Sequence, residues 1–204
     1  MVAPVGIVDY GMGNLRSVAN AIEAVGSTAD LVTDPERLKG YGKLVLPGVG
    51  AFGHAIATLR ATALAQALDD RRAAGTLILG ICLGMQLMCR DSDEDGLHFG
   101  LGWFAAHVRR FPDDLGLPIP HMGWNSVHFL REDPLLAGLS NDDDTYFLHS
   151  YRVKCDDPAD VLATCNYGGE FACIIQHGNL WGVQFHPEKS QGYGLTLLRN
   201  FLAL

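Results

Sequence analysis

The chain holds 204 residues, 48% of them hydrophobic and 19% charged, which is enough apolar material to close a substantial core and excludes a disordered tail protein. Fifteen Lys and Arg stand against 23 Asp and Glu, and the formal charge of -8 disfavours a broad electrostatic grip on nucleic acid or anionic lipid. No apolar run approaches the roughly 20 residues that cross a bilayer, and the first residues lack the basic segment and apolar stretch of a signal peptide, so a soluble cytoplasmic protein is expected.

Residues 5–9 form a short apolar run. The turn-rich Tyr10-Gly11-Met12-Gly13-Asn14 follows, and then Leu15, Val18, Ile22 and Val25 recur at helical spacing. This reads as strand, tight turn and helix; Gly11-x-Gly13 lacks the third glycine of a dinucleotide fingerprint. Apolar stretches at residues 31–32 and 43–46, one long helical pattern over about 55–74 and a purely apolar strand over 77–81 continue the alternation. Alternating strands and helices predict a parallel sheet covered on both faces.

After Gly102 the character changes. Residues 103–111, 121–129, 146–153, 161–167, 171–177 and 180–185 are strand-like and parted by Gly, Asn, Asp and Pro, so the second half should be mostly antiparallel β. Residues 191–204 place Leu195, Leu198, Phe201 and Leu202 on one helical face and should close the fold. Neither a repeat nor a linker divides the chain, so residues 1–204 read as one α/β domain, with Asn141-Asp142-Asp143-Asp144 as a solvated loop.

The five cysteines include no C-x-x-C pair, which points to reduced thiols, four of them small buried hydrophobes. Cys82 stands apart. Gly80-Ile81-Cys82-Leu83-Gly84 has the G-x-nucleophile-x-G pattern of a nucleophile elbow, where a buried strand gives way to an apolar helical run. A side chain at 80 or 84 would collide with neighbouring backbone, while the central thiol is forced out toward solvent at the start of a helix whose dipole favours thiolate. A proton shuttle is offered by Gly182-Val183-Gln184-Phe185-His186-Pro187-Glu188: if Glu188 bonds one ring nitrogen of His186, the other is aimed outward as acid or base. Two neighbouring parallel strands would bring Cys82 and His186 together at their C-terminal ends.

Pro47-Gly48-Val49-Gly50, directly after a strand, is either a simple turn or a loop whose N–H groups join that of Leu83 in an oxyanion hole, worth about 3 kcal/mol per donor. His54, His98, His107, His128 and His177 show no spacing that suggests a ligand or base. No metal is implied, because no closely spaced His, Cys and carboxylate set surrounds Cys82 or His186.

Together these segments resemble class I glutamine amidotransferases, the triad-type glutaminases, over essentially the whole chain. The resemblance implies a flavodoxin-like fold with a central, mostly parallel sheet, no cofactor, and a Cys82-His186-Glu188 triad that hydrolyses glutamine through a glutamyl thioester. It also implies that Gly48, Val49, Gly50, Gln86, His149 and Ser150 hold the amino acid moiety. Within the family, Pro120-His121-Met122-Gly123-Trp124-Asn125, Tyr146-Phe147-Leu148-His149-Ser150-Tyr151, Lys189-Ser190-Gln191 and the Tyr10 to Asn14 turn resemble glutaminase subunits of imidazole glycerol phosphate synthases, from histidine biosynthesis.

That likeness implies a (β/α)8 cyclase partner in a heterodimer, fed with ammonia, because one glutaminase domain leaves no room for an acceptor site. Asn14, Trp124 and Lys189 would lie at the contact, a reading favoured over Trp124 as a core aromatic and Lys189 as a solvated charge. Glutaminases of anthranilate, aminodeoxychorismate or guanylate synthesis, and a non-catalytic regulatory module, are the alternatives. The chain departs from the family pattern at residues 92–102, where Leu97-His98-Phe99 looks like a small insertion of uncertain shape.

Overall fold

The computed structural model describes residues 4–204. Its first half runs β1 (Val5–Val8), α1 (Leu15–Ala24), β2 (Ala29–Val32), β3 (Lys43–Leu46), α2 (Phe52–Ala61), α3 (Leu64–Ala73), β4 (Leu77–Ile81) and α4 (Leu83–Leu87). Strand β1 is buried at every position, as strands become when helices cover both faces of a sheet. The single long helix expected over 55–74 is instead two, broken at Ala63, whose φ of 60° is left-handed. The reason is packing. Leu59 and Leu64 are both fully buried, yet in a straight helix they would point about 140° apart, and the break lets each face the core. Thr62 assists by turning its hydroxyl back to the Thr58 carbonyl at 2.9 Å.

The second half adds β5 (Cys89–Ser92), β6 (His98–Phe99), β7 (Phe104–Arg110), β8 (His121–Ser126), β9 (His128–Phe129), β10 (Asp144–His149), β11 (Tyr151–Cys155), β12 (Val161–Asn166), β13 (Glu170–His177), β14 (Leu180–Val183) and α5 (Gln191–Ala203). Strands from both halves enter one 12-stranded sheet, ordered β2-β1-β3-β4-β14-β13-β11-β7-β5-β6, with β12 on β13 and β9 on β12. Its first five members are parallel, so β14, from the far end of the chain, completes the 2-1-3-4-5 order of a flavodoxin-like sheet. From β13 to β11 and β7 the pairing is antiparallel.

Two expected strands divide. The stretch 121–129 breaks at Val127 into β8 and β9, and the stretch 146–153 turns at Ser150, sending β10 to a separate two-stranded sheet with β8 while β11 joins the large one. The expected strand over 180–185 ends at Val183. Helix α5 buries Leu197, Leu198 and Phe201 with Gly194, and Leu195 and Leu202 are half-buried at its margins. All five cysteines are free; Cys89, Cys165 and Cys173 are buried, but Cys155 is only half-buried. Among the described residues no helix is long and apolar enough to cross a membrane.

Candidate active site

Sterics explain why the elbow carries glycine. A Cβ on Gly80 would come within 2.8 Å of the Met85 main chain, and one on Gly84 would sit 1.7 Å from the Leu46 carbonyl oxygen. Between them Cys82 takes φ 53° and ψ -110°, a conformation few side-chain-bearing residues tolerate, and its N–H donates to the Val183 carbonyl at 2.8 Å. The thiol does not stand on open surface as the elbow pattern suggested. Cys82 is 6% exposed and lines a cavity, with Gln184 Nε2 at 3.7 Å and the Leu148 carbonyl oxygen at 3.9 Å from Sγ. Helix α4 is only five residues long, so its dipole on the sulfur is short.

Strand β14 lies parallel beside β4, with Gly182 opposite Gly80 and Val183 opposite Ile81, so the ends that lead to His186 and Cys82 are level. His186 Nδ1 donates to Glu188 Oε1 at 2.9 Å, inside a pair that is almost wholly buried. Burial alone would push the His186 pKa down. The neighbouring Cys82 sulfur and the Glu188 carboxylate outweigh that and raise it to about 10. A sulfur, an imidazole and a carboxylate in this order can perform nucleophilic acyl transfer with the imidazole as proton carrier. The main chain of the ring is held as well: His186 N–H donates to the Tyr146 carbonyl at 2.9 Å, and Ser190 Oγ, which accepts from Tyr146 N–H at 3.0 Å, donates to the His186 carbonyl at 2.7 Å.

The cavity encloses about 310 Å³ and brings together Val49, Gly50, Cys82, Leu83, Gln86, His149, Ser150, His186 and Lys189 from widely separated segments. Gly48 lies behind its wall. A Cβ there would meet Tyr10 Oη at 2.5 Å and Gly84 N at 3.1 Å, and Tyr10 Oη donates to the Pro47 carbonyl at 3.0 Å, so loop and elbow touch through glycine. Burial first, then the Cys82 charge, pushes the Tyr10 phenol up and keeps it a donor. Glu188 likewise stands behind His186 and outside the cavity.

Several side chains are already committed. Gln86 Nε2 donates to the Tyr151 carbonyl and to Gln184 Oε1, both at 3.0 Å, which leaves its amide oxygen for a ligand. His149 spends Nδ1 on the Tyr151 carbonyl at 2.8 Å and Nε2 on His121 at 3.0 Å, so this segment faces the cavity through Ser150 and main chain. Sequence reasoning missed Glu94, Pro120, Leu148 and Tyr151 in the lining, and Gln184 beside the sulfur. Glu94 arrives on the β5–β6 hairpin, within the stretch that departs from the family pattern. Its Oε2 accepts the Phe52 N–H at 2.7 Å, and burial is the largest influence in raising its pKa. One glutamate among Asp91, Asp93 and Asp95 carries no signal of its own. The hairpin is pinned by Arg60 Nη2 on the carbonyls of Phe99 and Gly100 at 3.0 and 3.1 Å.

Beside the cavity, the outer face of the two-stranded sheet is apolar and open: Met122 is 65%, Trp124 48% and Leu148 38% exposed. Met122 pairs with Leu148 and Trp124 with Tyr146 across the strands, and Lys189 Nζ stands 5.6 Å from the Tyr146 ring centre. Trp124 is therefore no core aromatic. Asn14, exposed and without a capping bond to α1, borders a small crevice shared with Val49, His186 and Glu188. Of the remaining histidines, His107 pairs with Asp91 and His177 with Asp160, each at 2.8 Å.

Residues 6–204 match the family described as glutamine amidotransferase class-I. The chain is 49% identical over 195 residues to the imidazole glycerol phosphate synthase subunit HisH of Symbiobacterium thermophilum, covering 96% of this chain and 91% of that one. It is 46% identical to the HisH subunit of Salinibacter ruber, covering 97% and 93%, and 41% identical to that of Leptospira borgpetersenii, covering 98% and 100%. Among solved structures, a putative GMP synthase subunit from Thermoplasma acidophilum superposes with TM-score 0.76 at 22% identity, over 100% of this chain and 94% of that one. PurLQS from Thermotoga maritima superposes with TM-score 0.78 at 19% identity, over 100% and 98%. These two likenesses speak for the fold, and the sequence relatives for the lineage. The chain belongs to the class-I glutamine amidotransferase family.

Proposed function

We propose that this protein is the glutaminase subunit of an imidazole glycerol phosphate synthase, acting in histidine biosynthesis as one glutaminase domain over residues 1–204. The observation that carries the chemistry is that Cys82 and His186 line one cavity from the level ends of β4 and β14, with His186 Nδ1 held by Glu188. Cys82 Sγ attacks the side-chain amide carbon of glutamine. His186 gives its proton to the departing nitrogen, ammonia leaves, and a glutamyl thioester remains. Water then attacks the thioester, its proton passing to His186, and glutamate is released as the S–C bond breaks. The N–H of Leu83 and those of the Gly48 to Gly50 loop stabilise the oxyanion; Gly50, at φ 104°, has a backbone free to reorient. Glu94, a carboxylate in the lining, suits the α-ammonium of glutamine, and Ser150 and the Gln86 amide oxygen supply further polar contacts.

Ammonia in neutral water is mostly ammonium, a poor nucleophile, so product must pass to its acceptor under cover. The open face of Met122, Trp124 and Leu148, flanked by Lys189, suits a (β/α)8 cyclase docking over the cavity, with Asn14 at the same rim. The two strands beneath that face also hold His186 through Tyr146 and wall the cavity through Leu148, so docking bears directly on the site. Five free thiols fit a reducing cytoplasm. Glutamate release by this chain alone should be slow and rise by orders of magnitude when the cyclase and its ligand are added. Full activity of the lone chain would remove the switching part of the proposal.

The two partners of the sulfur should be separable by mutation. Glu188→Gln keeps an acceptor for His186 Nδ1–H and loses only the charge, so kcat should fall about tenfold. His186→Ala removes the proton carrier and should cost about 10³-fold or more. The reverse ranking in steady-state assays would mean that Glu188 holds the fold.

A further inference from the structure

Two histidines face each other inside the β8–β10 sheet, and the mechanism uses neither ring nitrogen. His121 and His149 are register partners, 2% and 6% exposed. Burial holds His149 down to about 3 and His121 to about 4, so both are neutral at pH 7 and each has one donor and one acceptor nitrogen. The Tyr151 carbonyl can only accept, which makes His149 Nδ1 the donor at 2.8 Å. His149 Nε2 must then accept from His121 Nδ1–H at 3.0 Å, and His121 Nε2 from Asn125 Nδ2–H at 3.2 Å. Asn125 is anchored in turn on the Asn166 carbonyl at 2.9 Å. From Asn125 to the Tyr151 carbonyl the hydrogen bonds therefore run in one direction. Gln86 Nε2 donates to that carbonyl from the other side and also to Gln184 Oε1, and the Gln184 amide approaches the Cys82 sulfur.

Resting on the glutaminase reading of the cavity, we propose that His121 is a positioning residue: its Nδ1–H fixes the tautomer and rotation of His149, and so holds residues 148–151 as the wall against which glutamine binds. His121 does not touch the cavity itself, so its effect passes through the wall. The competing role is packing, since its ring stacks on Tyr167 at 4.0 Å and Phe147 at 4.8 Å between centroids.

Two substitutions separate the roles. His121→Phe keeps a stacked ring and removes the donor. His121→Asn removes the ring but places an amide nitrogen where Nδ1 stood. In the assembled complex of this chain with its cyclase, H121F should raise KM for glutamine about tenfold with kcat within threefold, and H121N should stay within threefold of wild type in both. The opposite ranking would assign His121 to packing and overturn the proposal. A second readout needs no variant: 15N spectra of the wild-type chain at pH 7 should show both rings as the neutral Nδ1–H tautomer. An Nε2–H tautomer or an imidazolium at either ring overturns the proposal even if H121F fails to fold. Absence of glutamine turnover by the wild-type complex would instead strike at the glutaminase reading, with the tautomers still deciding the hydrogen-bond chain.

Discussion

Replacing Cys82 with alanine should lower glutamate release by about 10⁴-fold or more, because the atom that forms the thioester is gone and nothing near it can substitute. Gln184 and Leu148 offer Sγ only an amide and a carbonyl. A glutamine-like electrophile should add once to the wild-type chain and not at all to the variant, read as a mass shift. Fold and cyclase binding should survive, since the lost sulfur sits at a cavity and the neighbouring Gly80 and Gly84 keep the elbow. Residual activity within tenfold of wild type would show that another group is the nucleophile. Because Cys82 sits at φ 53°, Cys82→Gly should be the more stable dead variant, by about 1 kcal/mol over Cys82→Ala, in denaturant melts of the two.

The cluster of Cys82, His186 and Glu188 was legible because each member sits in a local pattern with a steric or chemical reason behind it. Glycines flank a thiol at the end of a buried strand, and a histidine two residues before a glutamate ends another. Their meeting followed from parallel neighbours, and the β4–β14 register supplies it. What escaped were features without a local signature. The break at Ala63 depends on where Leu59 and Leu64 must point in the finished core, and a helical period reads the same on either side of it. The turn at Ser150 divides a continuous β-like stretch between two sheets because β8 and β7 each offer an edge, and those edges come from distant segments. Glu94 is indistinguishable from its acidic neighbours until the hairpin folds back on α2 and its carboxylate takes the Phe52 N–H. His121 and His149 read as unrelated residues until the antiparallel register of β8 and β10 sets them face to face.

Gly84→Ala should be the most damaging single methyl in the molecule near the site. The added Cβ would lie 1.7 Å from the Leu46 carbonyl oxygen and 2.7 Å from its carbon, atoms of β3 main chain that no rotamer change can move aside. Shifting β3 is costly, because Leu44, Val45 and Leu46 are fully buried and β3 is paired on one edge with β1 and on the other with β4. Relief would have to come from the elbow, which lies so close to the Gly48 main chain that a Cβ on Gly48 would itself fall 3.1 Å from Gly84 N. We expect a loss of about 4 kcal/mol or more, seen as a fall in Tm of roughly 10 °C or an insoluble product. Gly11→Ala is the control: φ there is 83° but no atom lies within 4 Å of the new Cβ, so the cost should be only about 1 kcal/mol. Any folded Gly84→Ala protein should also lose glutaminase activity, because the same displacement parts the Leu83 N–H from the Gly48 to Gly50 loop. Equal melting temperatures for the two variants would mean that elbow and β3 do not pack as closely as these distances state.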